Sequence, residues 1–271
     1  MAAPATRFWS QLTTRDFAAL DPSTTVAVLP LGATEQHGPH LPLSVDSTLV
    51  DGIVDAALPL LPDALQVLFL PTQHIGLSPE HSNFPGTLTL SSETLIRLWK
   101  DIGAGVVRAG LKKMVLFNAH GGHVGAMDIV ARELRVSHGL IVYGVSWFNL
   151  PLGEAGRQFS ADEHRFGVHA GEIETSMMLA LMPDSVRMSE ARDFSSASRD
   201  RSIAYPILGN GRSAKLGWAM EDYNRAGAAG NAAQATASRG AAVISAAATQ
   251  LASLLAEVSQ LPLDIVGTPA D

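Results

Sequence analysis

The chain has 271 residues, 46% hydrophobic and 17% charged, with a net charge of −7 and no cysteine. Such an apolar content supplies a sizeable core and excludes wholesale disorder, while the lack of cysteine excludes disulfides, thiolate metal sites and cysteine nucleophiles. The acidic balance argues against nucleic-acid binding, whose footprint is basic.

The first residues, Met1 to Trp9, lack the charged and apolar regions of a secretory signal, so a cytoplasmic protein is expected. Val26–Leu31 (VAVLPL) is a short apolar run that stops at Gly32 and reads as a buried strand. From Asp46 to Leu58 apolar residues recur at threes and fours, the spacing of a helix face. The apolar stretch over residues 49–71 is broken by Asp51, Asp55, Pro59, Pro62 and Asp63, and so falls short of a membrane span. Gln66–Leu70 is a second strand, followed by a Gly/Pro-bearing loop over His74–Thr87. Ser91–Ala109 reads as a helix capped by Ser91 or Ser92, Lys113–Asn118 as a third strand, Val124–Ser137 as a helix and Leu140–Ser146 as a fourth strand. Glu172–Met182 is a helix ended by Pro183, and residues 184–225 are expected to hold little regular structure. Ile244, Ala248, Leu251, Leu255 and Val258 mark one face of an Ala-rich C-terminal helix. Strands alternating with helices predict an α/β fold, a three-layer α/β/α arrangement around a mostly parallel sheet. With no internal repeat and no long linker, a single domain over 1–271 is expected.

The chain has no G-x-S-x-G nucleophile elbow and no Walker loop. Gly103, Gly105 and Gly110 stand at a helix end before a strand, the reverse of the order a dinucleotide site requires. The chemistry is left to histidines and carboxylates. Seven histidines (37, 40, 74, 81, 120, 123 and 169) fall in loops beside strand or helix ends, where an open parallel sheet binds ligands.

Three clusters stand out. In Glu35-Gln-His37, side chains two apart on an extended segment point to one side, and Asp46 follows at the next helix start. Glu, His and Asp suit Zn²⁺, Mn²⁺ or Fe²⁺, although Asp46 can also serve merely as a helix cap. In Asn118-Ala-His120-Gly-Gly-His123, His120 leaves the strand directly and is the better ligand, whereas His123 begins a helix and is equally a packing residue. In His169-Ala-Gly-Glu172-Ile-Glu174, Glu174 shares a helix face with Met177, Met178 and Leu181. A carboxylate in an apolar stripe needs a metal or an arginine partner, so Glu174 is a candidate ligand. Glu172 fits a helix-start acid favoured by the helix dipole. The loop carrying Ser78, Glu80 and His81 is assigned to substrate contact.

At these residues the sequence resembles the creatininase family of metal-dependent amidohydrolases. The resemblance runs from Val26 to about Arg192 through PLGATEQHGPHLPLSVD (30–46), GLSPEHSNFPGTL (76–88), NAHGGH (118–123) and HAGEIETS (169–176). It implies an α/β fold with two divalent ions, Zn or Mn with Fe possible, a homo-oligomer (trimer or hexamer), and a small-molecule substrate. It also implies metal ligation by Glu35, His37, Asp46 and His120, with Asp46 bridging, proton transfer by His169 and substrate contact by Ser78. The implied reaction is cleavage of a C–N bond other than a peptide bond, in a small amide, cyclic amide or formamide, by a metal-bridging hydroxide. Relatives also trim peptides or open oxidised inositol rings, and the ligand set does not choose among these reactions.

Two departures bear on the substrate. Creatininase has an aromatic residue and a glutamate ligand where this chain has Gly121 and Gly122, and a Trp-Asp pair where it has Arg165-Phe166. The creatinine-recognising pattern is therefore missing, and Glu174 is the expected replacement for the lost ligand. The rival readings are a metal-stabilised protein without turnover and a metal-free scaffold.

Overall fold

The computed structural model describes residues 6–267. Four parallel strands, β1 (Val26–Leu31), β2 (Val67–Phe69), β3 (Lys113–Asn118) and β4 (Ile141–Ser146), form one sheet in the order β2-β1-β3-β4. Val26 lies opposite both Val67 and Lys113, and Lys113 opposite Ile141, so the strands start level and their carboxyl ends open along one edge. Among the described residues eight α-helices follow in order: α1 (Val45–Ala57), α2 (Ser92–Arg108), α3 (Val124–His138), α4 (Glu154–Arg157), α5 (Ala161–Phe166), α6 (Glu172–Leu181), α7 (Ala197–Ala204) and α8 (Ala237–Gln260).

Alternation along the buried strands builds the three layers. Val26, Val28, Val115 and Phe117 point into a core shared with α1, α6 and α8. Ala27, Leu29, Met114 and Leu116 point the other way, into a core shared with α2 and α3. This is the three-layer α/β/α arrangement expected from the strand–helix alternation. An 18-residue stretch of helix α8 has a mean hydropathy of 1.5, enough by length and composition to cross a bilayer, and the buried stripe of α8 lies in the first of these cores. Lys113 is fully buried at the start of β3, where its Nζ donates to the Ser259 carbonyl at 2.6 Å.

Boundaries match the sequence reading closely, with Ser91 accepting the Thr94 N–H as the cap of α2. Residues 184–225 are more ordered than expected. They hold α7 and the two-residue strand β5 (Asp193–Phe194), which pairs antiparallel with β6 (Gly230–Asn231). Helix α7 buries none of its residues, so it has no apolar stripe for periodicity to detect.

Candidate metal centre

The site lies at the carboxyl edge of the sheet. Glu35 and His37 sit on the loop leaving β1, Asp46 is in the first turn of α1, and His120 lies two residues beyond β3. The Asn118 side chain latches that last loop, accepting the His120 N–H at 3.0 Å and donating to the His120 carbonyl at 2.7 Å. His169 precedes α6, and Glu174 lies in the first turn of that helix.

Three groups of side chains have ligand atoms within 4.8 Å of one another: Glu35–Asp46–His120, His37–Asp46–Glu174, and Glu35–His37–His169. The first two share Asp46. His120 Nδ1 stands 3.2 Å from Glu35 Oε1 and 3.5 Å from Asp46 Oδ2, and His37 Nε2 stands 3.7 Å from Asp46 Oδ1. Both Glu35 oxygens, His37 Nε2 and Asp46 Oδ2 are buried and make no hydrogen bond. Buried polar atoms without partners are rare, and here they converge on one spot. Two carboxylates and an imidazole in each of the first two groups form a donor set that divalent cations fit.

The electrostatics agree. Burial raises the Glu35 carboxyl, but the imidazoles of His120, His81 and His169 override it and hold Glu35 well below the carboxylate range. Burial and then the Glu35 charge push Asp46 up. Burial would lower His37 and His120, yet Asp46 and Glu174 around the one, and Glu35 and Asp46 around the other, lift them to about 9 and about 10. Carboxylates crowded out of water thus draw protons onto both histidines, the positive charge a cation would otherwise supply. Glu174 is pushed up to about 7, chiefly by burial.

Hydrogen bonds fix the ring orientations. His120 Nε2–H donates to the Leu77 carbonyl at 2.8 Å, which leaves Nδ1 facing the carboxylates. His169 Nε2–H donates to the Gln36 carbonyl at 2.7 Å, which turns its Nδ1 toward Glu35, 3.8 Å away. The Gln36 amide accepts the Gly38 N–H through Oε1 and donates through Nε2 to His81 Nδ1 at 2.7 Å, so His81 presents an Nε2–H to Glu35. Burial holds His169 well below the usual imidazole range, with the charges of His37 and His81 adding to it.

The structure brings Glu35, His37, Asp46, His120, His169 and Glu174 together. A cavity of about 770 Å³ opens above them, and Asp46, Glu80, His81, His120, His169 and Glu174 line it. Ser78 is fully buried behind His120, its Oγ 3.4 Å from His120 Nε2, and does not line the cavity. His123 proves to be a packing residue: Nδ1–H donates to Asn118 and Nε2 accepts the Leu77 N–H. Glu172 is an ion-pair partner of Arg239 rather than a lone helix-start acid. Gly122 has no room for a side chain, since a Cβ there would lie 2.3 Å from Glu80 Oε1 and 2.4 Å from His120 Nε2.

Sequence reasoning missed Gln36 and Trp218. Trp218 comes from the stretch read as irregular, lines the cavity and meets His81 edge-on with ring centroids 6.1 Å apart. A lone tryptophan in a polar, Gly-containing stretch was the available signal.

The sequence profile of the creatininase family, described as creatinine amidohydrolase, matches residues 10–255. A mycofactocin precursor peptide peptidase from Mycobacterium tuberculosis is 34% identical over 63% of this chain, and the match spans 64% of that relative's length. The creatinine amidohydrolase of Pseudomonas putida is 29% identical over 74% of this chain and 81% of its own. A crystal structure of creatinine amidohydrolase superposes with a TM-score of 0.75 at 24% identity, covering 95% of this chain and 99% of that one. A manganese form of creatininase and a zinc–zinc form of a creatininase point mutant each give a TM-score of 0.74 at 24% identity. With the profile matched over nearly its whole length, the chain belongs to the creatininase family.

Proposed function

We propose that this family hydrolase is a two-metal amidohydrolase that cleaves a C–N bond of an amide larger than creatinine. The observation that carries this reading is the pair of three-residue groups sharing Asp46, with their orphaned buried oxygens and nitrogen. Glu35, Asp46 and His120 would hold one divalent ion, zinc or manganese, and His37, Asp46 and Glu174 the other. When bound, two such ions polarise a carbonyl and make water a nucleophile at neutral pH.

The chain's own groups supply the rest. His169, with Nδ1 facing the site, is the group that would accept a proton there and return it to the leaving nitrogen. Glu80 and the His81 ring line the cavity as contacts for the substrate. Ser78, behind His120, supports that ring. Trp147, Phe148, Leu152 and Trp218 offer apolar wall, and Arg165 and Lys215 also line the cavity. A cavity of about 770 Å³ far exceeds one small ring, and this favours a peptide or an extended amide as substrate. The peptidase relative supports the peptide reading.

Elemental analysis of protein purified without chelator, followed by a screen of creatinine, formamides and short peptides with Mn²⁺ or Zn²⁺, tests the proposal. Two ions per chain and metal-dependent release of an amine are expected. Trace metal only, or no amide cleaved by the loaded protein, would refute it.

A further inference from the structure

We propose that Glu163 is the positioning residue for His169: its buried carboxylate ties the start of α6 to the segment at Asn231 and so sets the turn that carries His169. Glu163 lies in α5 and is only 5% exposed. A carboxylate so far out of water needs strong compensation. Its partners are backbone amides from two distant segments. Oε1 accepts the N–H of Glu172, the first residue of α6, at 2.6 Å, and Oε2 accepts the N–H of Asn231 at 3.0 Å. The positive end of α6 adds to the stabilisation.

The chain around Glu163 leaves space for this carboxylate. A Cβ on Gly171 would lie 2.2 Å from Oε1, one on Gly167 2.5 Å from Cδ, and one on Gly230 2.8 Å from Oε1. Three glycines from two segments converge on a single side chain.

What lies between the two anchors is the His169 turn. His169 and Ala229 exchange backbone hydrogen bonds, Ala229 N–H to the His169 carbonyl at 2.8 Å and His169 N–H to the Ala229 carbonyl at 3.3 Å. Ala170 has φ +53°, the only positive φ of a non-glycine residue among those described, and its N–H donates to Glu174 Oε2 at 2.6 Å. A left-handed alanine is unfavourable by itself and persists where its surroundings over-determine it. Glu163 on one side and Glu174 on the other provide that constraint. The outcome is the ring placement of His169, with Nε2–H on the Gln36 carbonyl and centroids 4.1 Å from His37 and 4.3 Å from His81. The catalytic consequence rests on the reading of His169 as the proton-transfer group, whereas the placement itself does not.

The test uses full-length, Zn²⁺-loaded protein, with metal content measured in every sample. Glu163→Gln preserves volume but turns an NH₂ group toward one of the two amides. Amide hydrogen exchange should quicken tenfold or more over residues 167–172 and 229–231 and nowhere else. The Nε2–H of His169, held on the Gln36 carbonyl and expected in the imidazole NMR spectrum of the parent, should disappear from it. Gly171→Ala, whose methyl displaces the carboxylate, should reproduce both effects, yet add little when Glu163 is already Ala. Unchanged exchange and an unchanged His169 signal in Glu163→Gln would overturn the proposal. So would loosening spread over the whole chain, which would mean a merely structural role. If no zinc is retained but the His169 signal still depends on Glu163, the metal-hydrolase reading fails and the positioning role stands.

Discussion

Glu174→Gln removes one negative oxygen donor from the His37–Asp46–Glu174 group while keeping side-chain volume. The ligand atoms of that group lie within 4.8 Å of one another, and without the carboxylate one ion keeps only His37 and the shared Asp46. Catalytic zinc sites usually provide three protein ligands. Outer-shell substitutions alone weaken metal binding 10- to 100-fold, so loss of a direct ligand should weaken the second ion by roughly 100-fold or more, about 2.8 kcal/mol. The fold should survive. The Ala170 N–H now donates to Glu174 Oε2 at 2.6 Å, and a Gln oxygen can accept it, so metal-free stability should change by about 1 kcal/mol at most. Calorimetric titration of chelator-stripped protein with Mn²⁺ should show two binding events in the parent and one in the variant, with thermal melting as the check on folding. Two ions bound with parental affinity would refute the assignment of Glu174.

Four further outcomes are expected. Glu172→Gln, which breaks the Arg239 pair, should keep both ions and lose about 1–2 kcal/mol of stability; loss of an ion would move the second-metal carboxylate to Glu172. Gly122→Ala should displace His120 or Glu80 and weaken metal binding by about tenfold or more, and unaltered binding would show that the crowding at that position is relieved cheaply. Burial, with the charge of His37 behind it, brings His40 down to about 4 from 6.5, so the folded chain binds fewer protons than the unfolded chain between those values. Stability present above pH 6.5 should therefore fall as the pH drops toward 4, and urea melts of His40→Gln should lack that share of the loss. Mn²⁺ at 100 times its dissociation constant should stabilise the stripped protein by about 2.7 kcal/mol, and a melting temperature that ignores the metal would count against the site.

Much of this protein could be read without coordinates, because much of it is local. Short apolar runs mark the four strands, β1 stopped by Gly32 and β2 by Pro71, and threefold and fourfold spacing marks α1 and the buried stripe of α8. Helical geometry alone separates Glu174 from Glu172, since two positions along a helix turn a side chain through about 200°. The ordered histidine and carboxylate motifs point to one edge of the sheet, because parallel strands all end there.

Tertiary structure decided which groups meet. Nothing in the local pattern says that Glu172 finds Arg239, 67 positions away, while Glu174 turns toward His37 and Asp46. The ring placement of His169 depends on Gln36, 133 positions distant, and Trp218 reaches His81 from a stretch with no periodic signal. Ser78 and His81 stand three apart on one loop, yet one is sealed behind His120 and the other lines the cavity. Periodicity reports which side of an element is buried. The partner met on that side is set by how helices and loops pack over the sheet, and that packing depends on the whole chain at once.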